Sequence, residues 1–443
     1  MSTDTNIVRF VKFSELNKWD CKRYITSSVK SKFNLVKIGK HIICQTEKIK
    51  PFDNPNKDYC ILGVSNTDGM FDAYIEKGCN IKQPYKIVKN GYIAYNPYRV
   101  NVGSVGLKTH NQKYDLISPA YVVFSCKETL LPEFIHLLMK TQSFNRLIRD
   151  NTTGSVRQTL SFESLKEIKI PLPSMSEQQA LLDAYNASVQ KAVNAERECQ
   201  KTKDSIDNYL LDSLGIQINP IKTNSKKLIF VSRLRNISRW DIWTQRSEYV
   251  TTKYRFSKFG SVVLGKPLYG ANEKAVKEKS DIRYLRITDI NEDGSLGDEF
   301  VSAKKVEEKY LLENNDFLIA RSGNTVGKTF LYKREIGKCI FAGYLVRYRL
   351  NESKILPEYL LEYTKSSIFK SWISNNQRIF GQPNINGQEY LNADIVIPSL
   401  EIQKEIVKNI ASIRLNIITL RKEAESLRQR AKKEFEEAVF GEA

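Results

Sequence analysis

The chain has 443 residues, 41% hydrophobic and 10% aromatic, with a formal net charge of +19. That length and composition exclude a disordered chain and predict several folded domains with proper cores. The positive balance favours a polyanionic partner through counterion release. No signal peptide and no apolar run of about 18 residues is found, which predicts a soluble, cytoplasmic protein. Seven scattered cysteines without a CxxC pair argue against zinc or a disulfide framework.

The sequence is written twice. Phe10-Val11 and Lys18-Trp19-Asp20 return as Phe230-Val231 and Arg239-Trp240-Asp241. Leu131-Pro132-Glu133-Phe134 returns as Leu356-Pro357-Glu358-Tyr359. Ile170, Pro173, Ser174 and Gln178 return as Ile395, Pro398, Ser399 and Gln403. The offset from Leu131 to Gln178 is a constant 225 (356 − 131 and 403 − 178). A built-in pseudo-dimer suits a bipartite or two-fold partner such as duplex DNA.

In chain order, residues 1–172 form a first mixed domain. Tyr92 to Tyr95 and Tyr121 to Phe124 read as strands bounded by Asn, Gly and Asp turn signals. Pro132 to Leu147 reads as one amphipathic helix. A helix is predicted over residues 173–215, with Ser174 as N-cap, Glu177 at capping-box spacing and Gly215 as its stop. Residues 216–397 form the second domain. Its strands are read at Arg283 to Ile287, Phe317 to Ala320 and Tyr344 to Leu350, and its helix at Pro357 to Ile373. Residues 398–443 are a second long helix, with Gly441 near its end.

Both long helices carry alternating 3-4 apolar spacing, and each therefore needs a helical partner. The ladder Tyr185, Ala192, Cys199, Ile206 maps at offset 225 onto Ile410, Ile417, Ala424, Ala431. The economical solution is an antiparallel pair, each helix roughly 60 Å long at 1.5 Å per residue. The fold class is thus mixed α/β: two pseudo-repeated domains separated by a coiled-coil spacer.

Catalytic readings fail. Gly323 to Thr329 looks like a phosphate-binding loop, but it has three residues between its glycines where a P-loop needs four, and a strand follows it rather than a helix. Asn96-Pro97-Tyr98-Arg99 lacks the second proline of an adenine methyltransferase loop, and no Gly-rich cofactor fingerprint precedes it. Asp150, Glu167 and Lys169 lack the Pro-Asp of a nuclease site. His41, His110 and His136 are not paired at ligand spacing, and no metal site is read.

The polar loops remain. Ser155, Arg157, Gln158 and Thr159 correspond to Arg378, Gln382 and Asn384. Asn96, Arg99 and Ser104 correspond to Arg321, Ser322, Asn324 and Lys328. Arginine can read guanine bidentately, and Asn or Gln can read adenine. These residues are the candidate DNA contacts. Trp19 and Trp240 are read as core anchors.

In this order and duplication the chain resembles the specificity subunit of type I restriction-modification enzymes. The resemblance rests on the Lys/Arg-Trp-Asp entries, the stretches from Asn96 and Ile319, and the exits Ile170 to Pro173 and Val396 to Pro398, each leading into a long helix. It implies two target-recognition domains, each reading one half of an asymmetric bipartite DNA site. It also implies helices that dock two methyltransferase subunits, with Tyr185, Val189, Ala192, Ile206, Ile410, Ile417 and Leu420 as the partner-binding set, and restriction subunits joining them. Catalysis would lie in those partners, with S-adenosylmethionine, ATP and Mg bound there and no cofactor in this chain. The alternatives are the separate specificity chain of a bipartite type II system, and a coiled-coil scaffold with incidental charge.

Overall fold

The computed structural model describes residues 31–67, 69–100, 103–151, 159–219, 249–277, 280–377 and 382–441. The Phe10-Val11, Lys18-Trp19-Asp20, Phe230-Val231 and Arg239-Trp240-Asp241 elements lie outside them. The chain divides into two units. One comprises Met1–Glu196 with Lys422–Ala443, the other Arg197–Arg421.

The first unit contains β1 (Leu35–Lys37), β2 (Ile42–Cys44), β3 (Asp58–Ser65), β4 (Gly69–Lys77), β5 (Ile93–Tyr95), β6 (Val105–Leu107), β7 (Val122–Cys126) and β8 (Lys169–Pro171). Its helices are α1 (Pro132–Leu138), α2 (Gln142–Asn151), α3 (Phe162–Glu167) and the start of α4 (Met175–Ser213). Strands β2, β7, β5 and β6 form an antiparallel sheet in that order, and β1 pairs antiparallel with β8. The β3–β4 hairpin belongs to a second, five-stranded sheet.

The second unit repeats the plan with β9 (Phe256–Lys258), β10 (Val263–Tyr269), β11 (Phe317–Ala320), β12 (Thr329–Leu331), β13 (Leu345–Leu350) and β14 (Asp394–Val396). The sheet order is β10-β13-β11-β12, and β9 pairs with β14. Helices α5 (Pro357–Tyr363), α6 (Ser367–Asn376), α7 (Gly387–Tyr390) and α8 (Leu400–Phe440) follow. The four-stranded sheet, the exit strand pair and the helices that follow are duplicated, whereas the five-stranded sheet of the first unit is replaced in the second by two-stranded pairs, among them the parallel pair Arg283–Leu285 with Cys339–Phe341. In each copy the sheet and its helices enclose a core, including Tyr95, Phe124, Phe134 and Phe144 in one and Phe317, Tyr348, Tyr359 and Tyr390 in the other.

Two expected helices are each broken in two. The helix read from Pro132 to Leu147 stops at Leu138 and restarts at Gln142, and the one read from Pro357 to Ile373 stops at Tyr363 and restarts at Ser367. The cause is the hydroxyl in each turn. Thr141 Oγ1 donates to the Leu138 carbonyl (2.7 Å) and accepts from the Phe144 amide (3.2 Å). Ser366 Oγ donates to the Tyr363 carbonyl (2.6 Å) and accepts from the Phe369 amide (3.4 Å). Each thereby closes one helix and caps the next. Carboxylates from the long helices reinforce the caps. Glu436 accepts from the amides of Gln142 (3.2 Å) and Ser143 (2.6 Å), and Asp207 from the amide of Ser367 (2.9 Å).

The long helices begin and end where their sequence signals stand. Ser174 and Glu177 form a reciprocal capping box: the Ser174 amide donates to the Glu177 carboxylate (2.8 Å), and the Glu177 amide to Ser174 Oγ (3.4 Å). Gly215 and Gly441 sit just past the helix ends with φ of 61° and 81°, a conformation that favours glycine. The helices pair antiparallel in each unit. In the first, the Tyr185 and Phe435 rings lie 6.1 Å apart, and Arg428 grips Glu196 with two bonds of 2.9 and 2.8 Å. In the second, Asn409 Nδ2 donates to the Tyr209 hydroxyl at 2.6 Å, while Ile410 and Ile417 are buried. Numbers rising along α4 meet numbers falling along α8. Ala192, Cys199, Ala424 and Ala431 are buried as the ladder requires.

Candidate nucleic-acid interface

In the second unit the two loops singled out in the sequence meet at one sheet edge. β11 ends at Ala320, and the chain turns back into β12 through Arg321 to Lys328. The turn is closed by Gly327 N–H to the Ala320 carbonyl (3.0 Å) and Ala320 N–H to the Lys328 carbonyl (2.8 Å). Gly323 and Gly327 have φ of 72° and 86°. This is a Gly-rich turn between two strands, not a phosphate loop leading into a helix. The segment before α7 lies alongside it. Ser322 bridges to Asn384, Gly323 N–H donates to the Pro383 carbonyl (2.9 Å), and Ile385 N–H to that of Arg321 (3.0 Å). Arg321, Asn324, Gln382 and Asn384 are thereby brought into one cluster.

The Tyr269 ring and the Tyr344 backbone complete it. The Arg321 guanidinium lies 4.9 Å from the ring centroid of Tyr269, at the end of β10. Tyr344, 52% exposed, gives its carbonyl to the Arg321 amide (2.9 Å). Arg321 Nε and Asn384 Oδ1 are buried and have no hydrogen-bond partner among the described residues. Tyr269 and Tyr344 were not legible as site residues: one lies on a strand some fifty positions before Arg321, the other beyond β12, and neither belongs to a local motif.

The first unit builds its site in the same place. After β5 the loop Asn96 to Ser104 turns back into β6, with the Asn96 side chain accepting from the Tyr98 amide (3.0 Å). Leu160 N–H donates to the Pro97 carbonyl (3.0 Å), and the Tyr95 hydroxyl to that of Leu160 (3.2 Å). Asn96, Arg99 and Thr159 are thus neighbours at one edge. Arg99 is exposed, as is Tyr98 at 57%.

Other expected contacts sit differently. Ser104 and Ser322 are buried, and Ser104 Oγ donates to the Val64 carbonyl (3.4 Å). The Ser104 side chain thus holds its loop in shape from within. Lys328 Nζ is engaged by the Glu292 carboxylate (2.9 Å) and the Ile290 carbonyl (3.4 Å). Ser155, Arg157, Gln158 and Arg378 lie outside the described residues. On the helices, Ala192, Ile410 and Ile417 are buried within the chain, and Tyr185, Val189, Ile206 and Leu420 are half-buried. These positions form the seam of the helix pair, so buried members can affect a partner only through that pairing.

Of the catalytic decoys, Glu167 is paired with Lys37 at 2.6 Å across the β1–β8 exit. Among the described residues no group of three His, Cys, Asp or Glu side chains could hold a metal ion, and no helix is long and apolar enough to cross a membrane.

Comparison with known proteins gives a consistent answer. A family model described as "Type I restriction modification DNA specificity domain" matches residues 12–198 and 263–428, one stretch for each copy. The specificity subunit of the type I restriction enzyme StySPI of Salmonella potsdam is 20% identical over 289 residues, covering 64% of this chain and 58% of its own. That of EcoBI of Escherichia coli is 20% identical over 279 residues, covering 60% and 56%. The matches thus span less than two thirds of either relative. A solved chain from a study of complex assembly and conformational transition of the type I R-M system shares the fold. Its TM-score is 0.60 at 15% identity, with 94% of this chain and all of that one covered. The HsdS subunit of Thermoanaerobacter tengcongensis aligns with a TM-score of 0.45 at 15% identity, over 93% of this chain and 97% of that one. The subunits of this family are non-catalytic and leave the chemistry to other subunits. By a match to both halves of its sequence, the chain belongs to the type I restriction-modification DNA specificity family.

Proposed function

We infer that each unit reads one half of a bipartite DNA site, and that the two halves differ in sequence. The carrying observation is that both copies present a loop pair at the same sheet edge with different side chains on it. One offers Asn96, Arg99 and Thr159 around Tyr98. The other offers Arg321, Asn324, Gln382 and Asn384 around Tyr269 and Tyr344. Equivalent placement with unequal chemistry suits two half-sites that are not copies of one another. Arg157, Gln158 and Arg378, outside the described residues, are further candidate DNA contacts from the sequence.

The helices dock two methyltransferase subunits, which restriction subunits join, and S-adenosylmethionine, ATP and Mg serve those partners. The net charge of +19 supplies the sequence-independent part of DNA affinity. Mapping N6-methyladenine in genomic DNA, in cells holding the partner methyltransferase with and without this chain, tests the reading. One asymmetric, interrupted motif that appears only with the chain supports it. A palindromic motif, or none that depends on the chain, overturns it.

A further inference from the structure

Lys140 and Lys365 stand 225 positions apart (365 − 140), the offset that relates the two halves. Each is the middle residue of the three-residue turn between paired helices, α1–α2 in one unit and α5–α6 in the other. Both ammonium groups are drawn out of water, and burial pushes both below the ordinary lysine range, Lys365 to about 8. A repeated lysine held in this way, with its stem packed and its charge underhydrated, is costly without a counter-charge.

The counter-charge within the protein is incomplete. In the first unit no ion pair or hydrogen bond engages Lys140 Nζ among the described residues. The charge acting on it is that of another cation, Lys432. The amine lies beside the β3–β4 turn, 3.6 Å from where a Cβ on Gly69 would stand, and that turn abuts the Asn96 to Ser104 loop through Asn66 and Gly103. Arg146 and Arg149 line a concave patch on the adjoining helix.

In the second unit Lys365 shares one carboxylate, Glu362 (3.4 Å), with Arg414 (2.7 Å). It lines a cavity of about 250 Å³ together with Lys328, Lys370, Asn324, Gln377 and the exposed Glu292. Lys328, Lys365 and Lys370 face Glu292 there, beneath the loop that carries Arg321, while Glu362 and Asp293 also act on Lys365.

We propose that Lys140 and Lys365 are phosphate-binding residues, one per unit, each holding a backbone phosphate of the DNA beside the bases its own unit reads. The proposal rests on the DNA-recognition function above. A lysine ammonium is a compact point charge that positions a duplex without reading its sequence. Its repetition in two sites with otherwise different side chains fits a task common to both.

The test measures affinity against salt for the full chain with its methyltransferase partner, on a duplex carrying the mapped motif. Lys140→Met removes a charge unpaired among the described residues and should leave the thermal midpoint unchanged, whereas Lys365→Met leaves Glu362 to Arg414 alone, so its slope is measured below its own midpoint. Each should reduce the slope of log affinity against log salt by about one, leave the methylated motif unchanged, and be rescued by the corresponding arginine. An unchanged slope in both variants, or an altered motif in either, overturns the proposal. Titration with inorganic phosphate alone separates the other source of this chemistry. If free phosphate stabilises the wild type but not Lys365→Met, while the DNA slope stays unchanged, the pocket takes a free anion and the proposal fails. If the wild type itself selects no motif, the failure belongs to the DNA-recognition reading instead.

Discussion

Gln178 and Gln403 make the same three hydrogen bonds in the two halves of the chain. Gln178 Oε1 accepts from the Leu131 amide (2.9 Å), and its Nε2 donates to the carbonyls of Thr129 (3.1 Å) and Pro173 (3.0 Å). Gln403 Oε1 accepts from the Leu356 amide (2.7 Å), and its Nε2 donates to the carbonyls of Lys354 (3.0 Å) and Pro398 (2.8 Å). Both side chains are fully buried. In each half, one amide group ties the long helix to the strand exit before it and to the loop entering the paired helices.

Replacing Gln178 with Ala leaves two carbonyls and one amide without these partners. The buried Pro173 carbonyl costs about 1–3 kcal/mol when unsatisfied and the two part-buried groups less, so a loss of roughly 2 kcal/mol is expected. The first unit should unfold at lower denaturant while the second keeps its midpoint, and Gln403→Ala should do the reverse. Hydrogen exchange at Leu131 and Leu356 reads the two effects separately. Equal weakening of both amides by either variant would contradict this local role.

The helix seam should depend on burial rather than on its visible ion pair. Ile410→Asp and Ile417→Asp each place a charge at a position 1% or 7% exposed, and together should cost more than about 3 kcal/mol. Arg428→Ala removes a bidentate pair with Glu196 whose side chains are nearly half exposed, and should cost about 1 kcal/mol at most. Thermal unfolding followed by helical circular dichroism ranks them. A larger loss for Arg428→Ala would reverse the argument.

The duplication, the antiparallel helices, the strand from Phe317 to Ala320 and the stops at Gly215 and Gly441 were legible because each is a local pattern of spacing or of a residue type with one use. The breaks at Thr141 and Ser366 were not. A hydroxyl on a helical pattern reads equally as a surface position, and only the caps it makes, with Glu436 or Asp207 arriving from a distant helix, decide the matter. The site divides in the same way. The loops carrying Arg321 and Asn384 could be picked out by composition. Their contact with Tyr269 is made by sheet pairing between distant strands, and the burial of Ser104 and Ser322 follows from turns whose inner face no spacing reveals.

His136 should give the first unit an acid-sensitive stability. Burial, with a smaller effect from Lys140, lowers its ring from an ordinary 6.5 to about 4. Between those values the unfolded chain binds more protons than the folded one. Stability should therefore fall as pH drops through 6.5 towards 4, by on the order of 3 kcal/mol in all. His136→Gln should flatten that part of the curve relative to the wild type in denaturant titrations at fixed salt. Parallel curves for the two proteins would show that the ring does not carry the effect.

Arg321 is the side chain expected to carry most of the discrimination in the second half-site. Its guanidinium is held 4.9 Å from the Tyr269 ring centroid, which fixes a planar donor group in place before any ligand arrives. Arg321→Ala should relax one position of the methylated motif by about 1–3 kcal/mol of discrimination and leave the other half readable. Arg321→Lys should not restore it, because a single ammonium cannot make the bidentate contact. Tyr269→Phe keeps the ring face under the guanidinium and loses the hydroxyl that accepts from the Gly387 amide at 2.9 Å. It should lower stability by about 1 kcal/mol and preserve the motif, whereas Tyr269→Ala should blur the same position as Arg321→Ala. Methylation sequencing of each variant separates these outcomes. A change in the half-site assigned to Asn96 and Arg99 would show that the two units do not read independently.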